Sequence, residues 1–417
     1  MVVASQALNA VPKDVMSRLW TSKVTKVSLK QMYAVGRHVT DSKAKQTALL
    51  VPAQFLRHEL PIRYTHAMRM LNSTQDLPHP SLAHTATFRS ITQRYLEDIS
   101  ALIKMGPITN AEEEGRLTEL LRRMLPRSRE NMLSLANCFR ELEDMYPNLD
   151  ASAIDESRTQ RFFDSIYGIN LGTNLLMGEH LALHDEGRLL VSTLSPTDIA
   201  HQAAQDARKI CARSTGIEAP EVQIIERSDK KIITTFVEEH LHRMLFETIK
   251  HSLRTTCERH VGPDIATSRT STGKPSLPSV KVVVVSGGED ISIKISDEGG
   301  GMPESKTKKI WSYLDSVSLR NTPTLPDPNL PSSRLSYLDL PLCAPNHGLP
   351  FARLVARYFG GDLSLVSMEG YGTDAYLSLY RDATCLENWP DLHDESMSIL
   401  FADHVETNDC KVLEASA

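Results

Sequence analysis

Residues 246–255 read FETIKHSLRT, and four of them carry groups that could do chemistry. Glu247 and His251 are four apart, which on a helix places both side chains on one face. Lys250 lies beside the histidine and Arg254 follows one turn later. A carboxylate, an imidazole and two cations lie close together on such a helix. The same spacing also describes an ordinary solvated face.

A second group is SDEGGGMP, residues 296–303, directly after a predicted strand. Consecutive glycines let backbone approach a ligand closely because no Cβ intrudes. Asp297 at the strand end can accept a hydrogen bond from an exocyclic amine while ionised. Taken alone, the stretch also reads as a flexible turn. A third group is MEGYGTDAYLSLY, residues 368–380, where Gly370 and Gly372 bracket a turn and Thr373 opens a strand. The order is acidic helix, DxGGG after a hairpin, then GT before a last strand. That joint order is far rarer by chance than any one part.

These groups must be carried by a chain of 417 residues, long enough for two or three domains. Apolar residues make up 41% and charged residues 24%, the balance of a soluble globular protein. No apolar run is long enough for a spanning helix. A net charge of −6 argues against a general nucleic-acid binder. The six cysteines form no CxxC pair and read as free thiols in a reducing compartment. In residues 1–29 Lys13, Arg18, Lys23 and Lys26 oppose one acid, Asp14, the composition of a mitochondrial targeting leader or of a basic terminus.

From about 30 to 185, apolar residues recur three and four apart over 51–74, 84–105, 111–124, 126–146 and 155–185, predicting an antiparallel helical bundle. Pro61 is expected to kink or break the first of these. Beyond Ser192 strands appear. VQIIE (222–226) and KIITTF (231–236) flank a turn, helix 237–260 follows, and 280–297 reads as a hairpin at Gly287-Gly288. Helices near 304–314 and 349–359 and strands near 362–367 and 374–380 complete the second half. The expected class is α+β: a bundle over 30–190, then an α/β-sandwich domain over 191–382 with a lid at 315–347, then an acidic tail over 383–417.

The second half resembles the ATP-binding fold shared by histidine kinases, type II topoisomerases and the ninety-kilodalton heat-shock chaperones. More narrowly, the chain is similar to the mitochondrial pyruvate dehydrogenase kinases and branched-chain 2-oxoacid dehydrogenase kinases. The resemblance is carried by HRMLFETIKHSLRTT (242–256), ISIKISDEGGGMP (291–303), IWSYL (310–314) and GLPFARLVARYFGGDLSLVSMEGYGTDAYLSL (348–379). In the helical half it is carried by FLRHELPIR (55–63) and RFFDSIYGINLGTNLLMGEHLAL (161–183). It covers about residues 28–380.

The resemblance implies a protein serine kinase that uses ATP and Mg²⁺ to phosphorylate and inactivate the E1 subunit of a 2-oxoacid dehydrogenase complex. It implies docking on the lipoyl-bearing E2 core, a homodimer or heterodimer, and the mitochondrial matrix. Glu247 would be the catalytic base. Lys250, His251, Arg254, Asp297, Gly299, Gly301, Gly348, Leu349 and Thr373 would bind ATP.

Four departures from the family pattern matter. His251 stands where the family has the Asn that binds Mg²⁺, and imidazole suits Mn²⁺ better. With an ordinary pKa, that histidine would stop ligating below about pH 6.5. Arg243 stands where pyruvate dehydrogenase kinases have a His, and a cation there should weaken Glu247 as a base. Ala344-Pro345-Asn346-His347-Gly348 replaces a glycine-rich lid end. Asn170 and Asn174 replace two arginines of the regulatory anion site, so little response to pyruvate-like carboxylates is expected. These departures leave an alternative, a catalytically impaired pseudokinase that regulates an active relative. A phospho-accepting His58 of the sensor-kinase kind is a further rival, disfavoured by Pro61 and by its distance from Glu247.

Overall fold

The helical periodicity of the first half closes into a bundle whose ends are fixed by local chemistry. In this computed structural model, which describes residues 11–73, 75–135, 137–146, 154–228, 230–261, 277–313 and 347–392, the first helix is α1, Lys13–Thr21. Helix α2, Leu29–Asp41, starts at a capping box in which Ser28 and Gln31 satisfy each other's backbone donors. Helix α3 is Lys45–Asn72; α4, Ala86–Lys104, is capped by Thr85; α5, Ala111–Ser134, by Asn110. Helix α6 is Asn137–Met145, and α7, Glu156–Asp185, is capped by Asp155.

Among the described residues, no helix breaks at a proline. Helix α3 runs unbroken through Pro52 and Pro61, and α5 runs through Pro126. Proline removes one backbone donor and crowds the preceding turn. In α3 that loss is outweighed by burial of Leu56, Leu60, Tyr64, Ala67, Met68 and Leu71. The boundary expected near residue 125 falls instead between Ser134 and Asn137.

Helix α7 is the axis of the molecule. Nearly every side chain from Ile166 to Leu183 is buried, against α3 and α5 on one side and the second half of the chain on the other. Aromatic stacking reinforces this packing, with Phe88 and Phe162 at 5.7 Å between centroids.

In the second half, β1 (Val191–Leu194) pairs antiparallel with β3 (Thr234–Val237). The strand β2 (Val222–Arg227) lies parallel to β4 (Val280–Ser286). So the two strands read as flanking a turn join different sheets. Strand β4 and β5 (Asp290–Ser296) form the expected hairpin, and β6 (Asp362–Met368) and β7 (Gly372–Tyr380) complete an order β2-β4-β5-β7-β6. Helices α8 (Pro196–Thr215), α9 (Glu238–Val261) and α11 (Gly348–Tyr358) cover one face. Ile291, Ile293, Ile295, Leu377 and Leu379 point into that layer. The helix expected over 304–314 is short, α10 being Glu304–Lys309. The α+β architecture, bundle first and sandwich second, is as the sequence implies.

Both ends of the described chain are held by one buried network. Met16 and Trp20 of α1 are buried, although this segment lies inside the stretch read as a leader. Arg63, fully buried, contacts Glu59 at 3.1 Å and Glu387 at 2.7 Å, donates to the Thr25 carbonyl, and lies 4.7 Å over the Trp389 ring. Leu386 bridges Ser28, and Trp389 Nε1 donates to His66 Nδ1 at 3.1 Å. Residues 383–392, read as the start of a tail, are therefore packed against the bundle. The expected lid, apart from His347, lies outside the described residues, as do residues 393–417.

Candidate active site

Helix α9 has two faces. Leu241, Met244, Leu245, Ile249, Leu253 and Cys257 are fully buried under the sheet and against α8. The opposing stripe carries Arg243, Glu247, Lys250, His251 and Arg254. Glu247 is buried, with Oε1 2.9 Å from Arg243 and Oε2 2.5 Å from Lys250. Burial alone would raise its pKa, but the two cations outweigh that and hold the carboxylate below its usual range. Gly348, at the start of α11, closes over it: a Cβ there would lie 2.2 Å from Glu247 Oε2. The neighbouring Leu349 is half-buried.

The two expected phosphate cations are engaged within α9. Lys250 pairs with Glu247 and lies 5.0 Å over the Phe246 ring; Arg254 is exposed and pairs with Glu258 at 2.6 Å. His251 is half-buried, and its Nε2 is enclosed with no hydrogen-bond partner among the described residues. Burial lowers its pKa, with Asp297 opposing and Arg254 assisting. The ring therefore stays neutral to a lower pH than an ordinary histidine. This corrects the expected threshold near pH 6.5.

The Asp297 turn is a tight construction. Asp297 Oδ1 accepts from the backbone N–H groups of Gly299 at 2.9 Å and Thr373 at 3.2 Å. Its buried Oδ2 has no hydrogen-bond partner among the described residues. Gly301, with φ +63°, passes so close to β6 that a Cβ would lie 2.1 Å from the Met368 carbonyl. The Thr373 hydroxyl is 3.0 Å from Ser367 Oγ, which accepts from Met302 N–H at 2.8 Å. Gly299 rests on Thr255 of α9, where a Cβ would lie 2.6 Å from Oγ1. So the three sequence groups meet: α9, the Asp297 turn and the start of β7.

Sequence reasoning missed several residues here. Thr255 was findable as the next helical position after His251; Ser367 carried no signal. His347, read only as part of the lid, is buried among Phe163, Tyr167 and Tyr313, with Nδ1 3.0 Å from the Tyr167 hydroxyl. Burial pushes its pKa down to about 3, the contact with the Tyr313 backbone opposing. It ties the start of α11, and hence Gly348, to α7. Ala344, Pro345 and Asn346 lie outside the described residues. In the bundle, Asn170 Oδ1 accepts from Tyr95 at 3.1 Å and Ser128 at 3.2 Å. Asn174 is buried, and its Oδ1 has no hydrogen-bond partner among the described residues.

Among the described residues, no group of three or more His, Cys, Asp and Glu side chains could by itself hold a metal ion, and no helix is long and apolar enough to cross a membrane. The chain is 34% identical over 367 residues to the mitochondrial pyruvate dehydrogenase (acetyl-transferring) kinase of Arabidopsis thaliana, covering 86% of this chain and 91% of that one. The chain belongs to the mitochondrial pyruvate dehydrogenase kinase family. The relative in Schizosaccharomyces pombe is 36% identical over 76% of this chain and 73% of its own. That of Drosophila melanogaster is 30% identical over 85% and 81%. Residues 26–203 match the family described as mitochondrial branched-chain alpha-ketoacid dehydrogenase kinase. Within the pyruvate dehydrogenase kinase family, then, the site described above is the α9–Asp297–β7 junction of this member.

Proposed function

We propose that the chain is an ATP-dependent protein serine kinase that phosphorylates the E1 subunit of a mitochondrial 2-oxoacid dehydrogenase complex. The observation that carries this is the placement of a buried carboxylate, Glu247, on the helix that also borders the Asp297 turn. The residues present fit a nucleotide. Asp297 Oδ2 is a buried acceptor awaiting a donor such as an adenine amino group. Gly301 keeps open a cradle that a Cβ would fill. His251 Nε2 is a neutral, enclosed donor atom of the kind that suits Mn²⁺ more readily than Mg²⁺. A bound divalent ion would neutralise phosphate charge. Glu247 would accept the proton of the substrate hydroxyl, and Lys250 would exchange its carboxylate partner for phosphate oxygens.

Family membership also supports the mitochondrial matrix, the E2 core as docking partner, and a dimer. The open sheet face, with Val366, Met368, Tyr376 and Tyr380 exposed, is an apolar surface suited to a second subunit. A strictly monomeric mass in solution, or recovery in the cytosol on fractionation, would remove these parts of the reading.

One observation favours the second reading, a pseudokinase that binds and regulates a related kinase. Glu247 is bracketed by two cations, one of them in the place of the family's histidine, and is a weakened base. Calorimetric binding of ATP with Mg²⁺ or Mn²⁺, followed by phosphate incorporation into pyruvate and branched-chain E1 proteins, separates the two. Binding with incorporation supports the kinase. Binding without incorporation under either metal supports the pseudokinase, and no binding at all removes the nucleotide reading.

A further inference from the structure

The cysteines look scattered in sequence, but two of them touch. Cys211, in the last turns of α8, and Cys257, near the end of α9, have their Sγ atoms 3.8 Å apart. Both are buried thiols, 2% and 0% exposed, on helices that pack along their length. A disulfide needs the sulfurs at about 2.05 Å, so the two must approach by about 1.8 Å.

The two thiols are unequal. Either sulfur can donate in the contact between them; that contact holds the Cys211 thiol below its usual range, with burial opposing, and together with burial pushes Cys257 up. Cys211 is the slightly more exposed of the two, with Cys257 beside it as the partner sulfur. Cys211 lies in the last turns of α8, which ends at Thr215, and helix ends open locally more readily than helix centres. Hydrogen peroxide is close to water in size and needs only that local opening.

We propose that Cys211 and Cys257 are a modification site, an intramolecular dithiol that a hydroperoxide oxidises to a disulfide tying α8 to α9. The Cys211 thiolate attacks the O–O bond, forming an S–O bond and releasing water after protonation. The Cys257 sulfur then displaces the oxygen from that sulfenic sulfur, forming the S–S bond and releasing a second water. Two thiols and one hydrogen peroxide give one disulfide and two waters, the two electrons passing to the peroxide.

The bond has a consequence for the site, which rests on the nucleotide reading given above. Residues two apart on a helix point to nearly opposite sides. Cys257 faces α8 while Thr255 supports Gly299. Drawing Cys257 towards α8 therefore withdraws Thr255 from the Asp297 turn and weakens nucleotide binding.

The test treats the full reduced chain with hydrogen peroxide, blocks remaining thiols, and digests without reductant. The expected product is a cross-linked pair of peptides bearing Cys211 and Cys257, lighter by two hydrogens, reversed by dithiothreitol and absent from Cys257→Ala. Recovery of both cysteines as blocked free thiols, at peroxide doses that oxidise half-buried Cys385, overturns the proposal. So does their separate over-oxidation. Mapping on the unsubstituted chain decides this even if Cys257→Ala fails to fold. In a second arm, ATP affinity should fall about tenfold on oxidation, ~1.4 kcal/mol, and recover with dithiothreitol. Unchanged affinity in a cross-linked chain overturns the coupling. A reduced chain that binds no ATP overturns the nucleotide reading instead, leaving the mapping result intact.

Discussion

Arg243 holds Oε1 of Glu247 at 2.9 Å, one helical turn away along α9, and the pair is mostly sheltered from solvent. The contact stabilises the ionised carboxylate and so opposes its taking up a proton. Glu247 is depressed against the pull of burial, so its contribution to stability is present above the unfolded value near 4.3 and lost as pH falls through its lower folded value.

Arg243→Gln should therefore strengthen the base. The acidic limb of the pH–rate profile for E1 phosphorylation should move to higher pH, with turnover above that limb raised by about two- to tenfold. ATP affinity should stay unchanged, because Arg243 lies about 18 Å along α9 from Thr255, on which the Asp297 turn rests. A profile that superimposes on that of the unsubstituted chain would show that the contact does not govern the base. Glu247→Gln should lower phosphorylation by about 10²-fold or more, again at constant ATP affinity.

On the proposed nucleotide reading, His251 should set the metal preference. The chain should bind ATP more tightly with Mn²⁺ than with Mg²⁺, and His251→Asn should reverse that order, because an amide oxygen suits Mg²⁺. Because burial keeps the ring neutral, the Mn²⁺ preference should persist below pH 6.5 rather than vanish there. Calorimetry at pH 7.5 and pH 6 with both metals checks this. Equal affinities for both metals in both proteins would remove His251 from the metal site.

Three buried histidines make the fold acid-sensitive. Burial lowers His66 and His240 to about 4 and His347 to about 3. The unfolded chain takes up these protons near pH 6.5 and the folded chain does not, so stability falls as pH drops from about 6.5 towards 4. Each contributes up to about 1.4 kcal/mol per pH unit over that interval. Urea unfolding at pH 7.5 and pH 5 should show the loss, and His347→Phe should reduce the slope. An identical slope would mean that His347 is protonated in the folded state.

Arg63 should be among the most sensitive positions in the bundle. Arg63→Ala strands Glu59 and Glu387 inside the protein and releases Trp389. The expected loss is about 3–5 kcal/mol, because a buried carboxylate is left unpaired. Chemical denaturation gives the value directly, and a loss under about 1 kcal/mol, the size of a surface pair, would mean that water enters and screens the network.

Periodicity and motif order were enough for the bundle, for α9 with its polar stripe, and for the Asp297 turn at a strand end. These features depend on contacts within a few residues, which is what helical and strand spacing encodes. The same local logic did not foresee that the helices continue through Pro61 and Pro126, where burial over many residues outweighs one lost backbone bond. It could not assign β2 and β3 to different sheets, because strand pairing depends on distant partners. Glu247, His251 and Asp297 were visible as types at a spacing. That Glu247 is clamped by Arg243 and Lys250, that Gly348 closes over it, and that His251 keeps one nitrogen enclosed were decided only by packing. The same holds for Cys211 beside Cys257, His347 inside an aromatic cage, and Arg63 tying Thr25 to Glu387. Each joins residues far apart in the chain, and the desolvation that sets their charge states exists only once the chain has folded around them.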